Sequence, residues 1–183
     1  MDKNKQTNLI IISILLISFG WLVFTTWANF LDRNEKINSG LRPGFSAPEF
    51  NLPDQAGNSH ALSDYQGKVV VLNFWASWCT YCKAEFPDLE KVYKDYIDED
   101  FVVLAVNSTA QDKLEAAYAF LEKTEVTFPV FYDHKGEVIE QYQVMALPTT
   151  YIIDKQGIIQ EVFVGGGVNE LLLKGKVKDY LNR

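Results

Sequence analysis

The chain has 183 residues, 48% of them hydrophobic, and a formal net charge of −7. That length holds one ordinary domain plus an appendage. The acidic balance argues against nucleic acid or anionic lipid as a partner, and solubility alone accounts for it.

The appendage is N-terminal. No charged residue lies between Lys5 and Asp32, and Leu9 to Phe30 is mostly Leu, Ile, Phe, Val and Trp. As a helix this stretch extends roughly 33 Å, enough to cross a bilayer core. It reads as a single membrane span, with Lys3 and Lys5 favouring a cytoplasmic N-terminus and the rest of the chain outside the cytoplasm. A cleaved signal peptide is the rival, disfavoured by the length of the apolar stretch and by the poor small-x-small site at Thr26-Trp27-Ala28. Asp2, Lys3, Lys5 and Asp32 cancel, so the charge of −7 belongs to the exported part. The boundaries read as residues 1–31 for the stub and anchor, 32–44 for a polar linker ending in Arg42-Pro43-Gly44, and 45–183 for the domain.

The domain opens with Ala47 to Leu52, turn chemistry at Asp54 to Asn58, and Ser59 to Leu62, the pattern of a hairpin. Leu62 to Tyr65 predicts one helical turn ended by Gly67. Val69 to Trp75 reads as a strand buried on both faces. From Cys79 to about Ile97 a helical period places Phe86, Leu89, Val92, Tyr93 and Tyr96 on one side and Lys83, Glu90, Lys91 and Lys94 on the other. Phe101 to Asn107 is the next buried strand, and Asp112 to Thr124 a second amphipathic helix. Val130 to Tyr132 predicts a short strand and Glu137 to Tyr142 a short helix. Thr149 to Ile153 and Ile158 to Val164 flank a turn at Asp154 to Gly157, and Asn169 to Leu181 forms the closing helix with Asn169 as its cap. The order implies an α/β fold with a mixed central sheet flanked by helices, an N-terminal β-hairpin and one N-terminal transmembrane helix.

Cys79 and Cys82 are the only cysteines, so neither has another sulfur to pair with. A strand leading into Cys-x-x-Cys is the context of a dithiol redox centre. A helix starting at Cys79 sets that thiol against unpaired amides and the positive end of the helix dipole, which stabilises a thiolate.

Phe74 to Lys83 with its Trp78-Cys79-Thr80-Tyr81-Cys82 core, Pro87 in the same helix, and Leu147-Pro148-Thr149 before a strand together resemble the thioredoxin superfamily. The anchor, the hairpin and Glu85-Phe86-Pro87 make the chain similar to its membrane-tethered, extracytoplasmic TlpA/ResA-like group, with an AhpC/TSA–redoxin-like domain. The resemblance runs from about Pro48 to Leu181. It implies a thioredoxin-like fold and a thiol-disulfide oxidoreductase. It also implies a cis bond at Leu147-Pro148 beside the sulfurs, with the backbone of Leu147 open to an extended substrate segment. Trp78 then either contacts substrate or packs, and the same choice holds for Trp75.

In such an enzyme the Cys79 thiolate attacks a target disulfide and Cys82 resolves the mixed disulfide. No metal or organic cofactor is needed. Glu85, three residues after Cys82 and on the same helical face, is the candidate base, against the plainer reading of a solvated glutamate. Many thioredoxins place an aspartate where this chain has Asn73, which cannot titrate. Members tied to cytochrome c maturation lead one to look for an acidic residue after Val106-Asn107, where Ser108-Thr109-Ala110 stands instead. That counts against apocytochrome c as the sole substrate. The expected substrates are disulfides of exported proteins, apocytochrome c being one candidate. An integral-membrane dithiol carrier is expected as electron donor.

Other classes fit less well. A related peroxidase needs Thr or Ser three residues before its reactive cysteine, where Ala76 and Cys79 stand. Zinc needs two more ligands, and His60 and His134 lack the spacing. Haem attachment fails because Lys83 follows Cys82. A disulfide-forming oxidase or isomerase remains the main alternative, and a non-catalytic tethered binding module or chaperone the alternative from another class.

Overall fold

A computed structural model of the chain describes residues 14–27 and 42–183. Residues 14–27 are helical. Among the described residues no helix is long and apolar enough to cross a membrane. Residues 9–13 and 28–30 of the expected span, the basic start at Lys3 and Lys5, and most of the linker lie outside the described residues.

The rest of the described chain builds on the two apolar runs. β1 (Asn51–Pro53) and β2 (Ser59–Ala61) form the expected antiparallel hairpin. A 3-10 turn at Leu62–Tyr65 follows, and Gly67, at φ +87°, adopts the left-handed conformation that turns the chain into β3 (Val69–Trp75). The elements after it are α1 (Thr80–Asp95), β4 (Phe101–Asn107), a 3-10 turn at Thr109–Gln111, α2 (Leu114–Thr124), β5 (Val130–Tyr132), α3 (Glu137–Gln141), β6 (Thr149–Ile153), β7 (Ile159–Val164) and α4 (Glu170–Leu181). The five-stranded sheet has the order β5-β4-β3-β6-β7. β3, β4 and β5 run parallel, and β6 and β7 are antiparallel additions, so the sheet is mixed as expected.

β3 and β4 are buried at every position because both faces of the sheet are covered. Val69, Val71 and Trp75 face a core completed by Phe86 and Leu89 of α1 and Leu173 and Val177 of α4. Val70, Leu72 and Phe74 face a second core with Phe50, Val138, Tyr142 and Tyr151. Trp75 is a core residue, with ring centroids 4.9 Å from Phe86 and 5.4 Å from Phe120.

Two expectations need correction. Glu90, assigned to the polar face of the first helix, is buried. Its carboxylate accepts from Thr127 N–H at 2.9 Å and Thr127 Oγ1 at 2.7 Å, with Lys94 at 3.0 Å on its solvent side. The α2 helix starts at Leu114 rather than Asp112, whose carboxylate is engaged elsewhere. At the start of the domain, Gly44 N–H donates to Ile159 O at 2.7 Å and Ser46 bridges Ile158.

Candidate active site

The carboxyl ends of β3 and β4 open at one end of the sheet, and β6 begins there. Phe74 pairs with Thr149, so the next step places Pro148 level with Trp75, where β3 leaves the sheet for the cysteine loop. A site assembled there is the usual consequence of strands that diverge after their carboxyl ends.

Cys79 is the N-cap of α1, and its Sγ accepts from Cys82 N–H at 3.1 Å. Cys79 and Cys82 are disulfide-bonded. Cys82 is fully buried within the first turn, while Cys79 retains 5% exposure. The amides at a helix start are unpaired within the helix and carry its positive end, so a thiolate on Cys79 is favoured once the bond opens. Between them, Tyr81 projects into solvent. Trp78 is also exposed, its indole N–H donating to Gln111 O at 3.0 Å.

Glu85 is not a solvated surface glutamate. One turn beyond Cys82 on α1, it is buried with 6% exposure. Oε1 accepts from Val168 N–H at 3.1 Å, while Oε2 is buried without a partner. Burial pushes its pKa up, and the amides of Val168 and Gly167 offset that only in part. A carboxyl that ionises reluctantly, one turn from Cys82 on the same helix, is suited to take and return a proton.

The turn that supplies those amides contains Gly165, Gly166 and Gly167, with φ of +81°, +107° and +97°. Only glycine adopts three such conformations in a row without strain. Gly165 N–H donates to Pro148 O at 2.7 Å, which ties this turn to the start of β6. The Leu147-Pro148 bond is cis as expected. Pro148 is buried, Leu147 packs against both cores, and Met145 just before them is exposed.

Behind the cysteines, Asn73 is buried, and its Nδ2 donates to Thr150 Oγ1 at 2.9 Å. On the other side stands a residue that sequence reasoning missed. Asp112 accepts from Ser77 N–H at 2.6 Å, Ser77 Oγ at 2.6 Å, Asn107 Nδ2 at 2.9 Å and Lys113 N–H at 2.8 Å. Burial opposes its ionisation, but these donors outweigh burial and hold its carboxyl below the usual range. The clue in the sequence was topological: a parallel crossover sets the loop after Asn107 beside the loop after Trp75.

This constellation has counterparts in known proteins. Residues 43–162 match the AhpC/TSA family model. The chain belongs to the AhpC/TSA family. It is 40% identical over 157 residues to the thioredoxin-like protein YneN of Bacillus subtilis, covering 85% of this chain and 87% of that one. It is 37% identical over 163 residues to the thiol-disulfide oxidoreductase ResA of Geobacillus kaustophilus, covering 89% and 90%. A crystal structure from Chlorobium tepidum, assigned as a thiol:disulfide interchange protein DsbE, superposes with a TM-score of 0.71 at 35% identity, covering 78% of this chain and 99% of that one. This AhpC/TSA member is therefore a thioredoxin-like thiol-disulfide oxidoreductase.

Proposed function

We propose that the enzyme is a membrane-tethered, extracytoplasmic reductant of disulfides in exported proteins. The observation that carries the chemistry is the asymmetry of the pair: Cys79 at the start of α1 with residual exposure, Cys82 sealed in the same turn. The Cys79 thiolate attacks one sulfur of a target disulfide, forming a mixed disulfide and releasing the other target sulfur as a thiolate. Cys82 gives its proton to Glu85 and attacks Cys79, closing the internal disulfide and freeing the second target thiolate, so two electrons pass to the target. Trp78, Leu147 and Pro148 border the path of approach, with Leu147 offering backbone to an extended segment.

Tethering is supported by the uncharged, mostly apolar run from Leu9 to Phe30, of which residues 14–27 are helical. In an oxidising compartment the disulfide form accumulates, so continued reduction requires electrons from an integral-membrane dithiol carrier. Apocytochrome c is one candidate substrate among exported proteins.

The test is the equilibrium reduction potential of the Cys79–Cys82 pair in a dithiothreitol or glutathione series, followed by Trp fluorescence. A value near or below about −230 mV supports a reductant. A value near about −120 mV overturns that direction in favour of a disulfide-forming enzyme.

A further inference from the structure

The disulfide fixes Cys79 relative to Cys82 while the bond is closed. Apart from the disulfide, Cys79 is held by its place as the N-cap of α1, where its carbonyl accepts from Lys83 N–H at 3.2 Å, and by the loop that precedes it. That loop is fastened to the segment after β4 at three places. Trp75 O accepts from Ser108 N–H at 2.9 Å, Ser77 gives both of its donors to the Asp112 carboxylate, and the Trp78 indole reaches Gln111 O.

Asp112 is the centre of this fastening. It stands just before the N-cap of α2, one place outside the position from which an aspartate caps a helix. Here the N-cap is Lys113, which makes no side-chain capping bond, and the Asp112 carboxylate turns outward, keeping only the Lys113 amide on its own side. Its remaining acceptor capacity goes to Ser77, two residues before Cys79, and to Asn107 at the end of β4. Two donors of one residue on two oxygens of one carboxylate fix orientation as well as distance.

We infer that Asp112 is a positioning residue for disulfide exchange: acting through Ser77, its carboxylate keeps the Cys79 sulfur in closing distance of Cys82 when the bond is open. The inference rests on the reading of Cys79–Cys82 as an exchanging pair. Such positioning acts as effective concentration, so loosening the loop weakens ring closure and leaves the covalent chemistry alone.

The experiment compares reduction potentials of the full chain with those of Asp112→Asn, Ser77→Ala and the double variant. They are measured near neutral pH and again at a pH where alkylation shows both thiols protonated. Asp112→Asn is expected to weaken closure about tenfold, which makes the potential more oxidising by about 30 mV. Ser77→Ala, which keeps the backbone bond, shifts it less, and the double variant matches Asp112→Asn alone because the two residues act as one unit. The shift persists where both thiols are protonated.

An unchanged potential in Asp112→Asn with a lowered melting temperature makes the contact a fold support only and overturns the proposal. So does a shift that vanishes when the thiols are protonated, which marks a charge effect on the thiolate, or strict additivity in the double variant. If Asp112→Asn does not fold, a wild-type potential in Ser77→Ala is the overturning result. A wild-type pair that does not titrate reversibly defeats the exchange reading itself, which separates that failure from a pair that titrates with no response to Asp112.

Discussion

Glu85→Gln separates the two things a buried carboxyl does on α1, resisting ionisation and handling a proton. Only one oxygen has a partner, the Val168 amide at 3.1 Å; Oε2 is buried with none. A buried acceptor left unpartnered costs about 1–3 kcal/mol, most for the ionised form. Burial raises the folded pKa above the ordinary 4.5. A carboxyl raised in this way contributes stability that is full below its unfolded pKa and is lost as pH rises through its folded value. The stability of Glu85→Gln relative to wild type is therefore expected to grow by roughly 1 kcal/mol between about pH 4.5 and neutrality. Urea unfolding of the oxidised protein at constant ionic strength reads this directly. A difference that stays constant with pH, or shrinks, refutes the account of Glu85 as a carboxyl burdened by burial. In the same variant, resolution of a preformed Cys79 mixed disulfide is expected to slow about 10²-fold at neutral pH, the lower end for a general base. An unchanged rate together with unchanged Cys82 titration removes that role.

Two further predictions concern the frame around the site. Phe86→Ala empties a fully buried position between Trp75, Phe120 and Phe128 and is expected to cost about 3–5 kcal/mol in chemical denaturation; a loss under 1 kcal/mol contradicts that packing. Asn169 Oδ1 accepts from Leu172 N–H at 3.0 Å, so Asn169→Ala is expected to cost about 1 kcal/mol, with the aspartate variant restoring it.

The parts of this fold legible in the sequence are those written in local pattern. Val69 to Trp75 and Phe101 to Asn107 announced themselves as unbroken apolar runs, and both strands have those ends. Asn169 was legible as a cap because the bond it makes spans three residues. Glu90 was misread for the opposite reason. Helical periodicity sees only its own helix, and what buries this carboxylate is Thr127, 37 residues away. Asp112 likewise meets Ser77 across 35 residues, through the pairing of β3 with β4, and periodicity read it as the start of α2. Glu85 was singled out by its spacing from Cys82, but its depth is set by the glycine turn before α4, whose closeness to α1 no local pattern records.

The two sulfurs are separated by three positions in sequence and lie within one helical turn. A bridge that short closes almost no chain, and the loop-entropy estimate for it is about 2 kcal/mol, against nearly 5 for a link spanning a hundred residues. Neither core depends on it, since no two distant strands or helices are joined by it. Electrons can therefore enter and leave while the sheet, the glycine turn and the Asp112 contact stand as they are. The covalent bond that changes most often in the life of this protein is among those its architecture needs least.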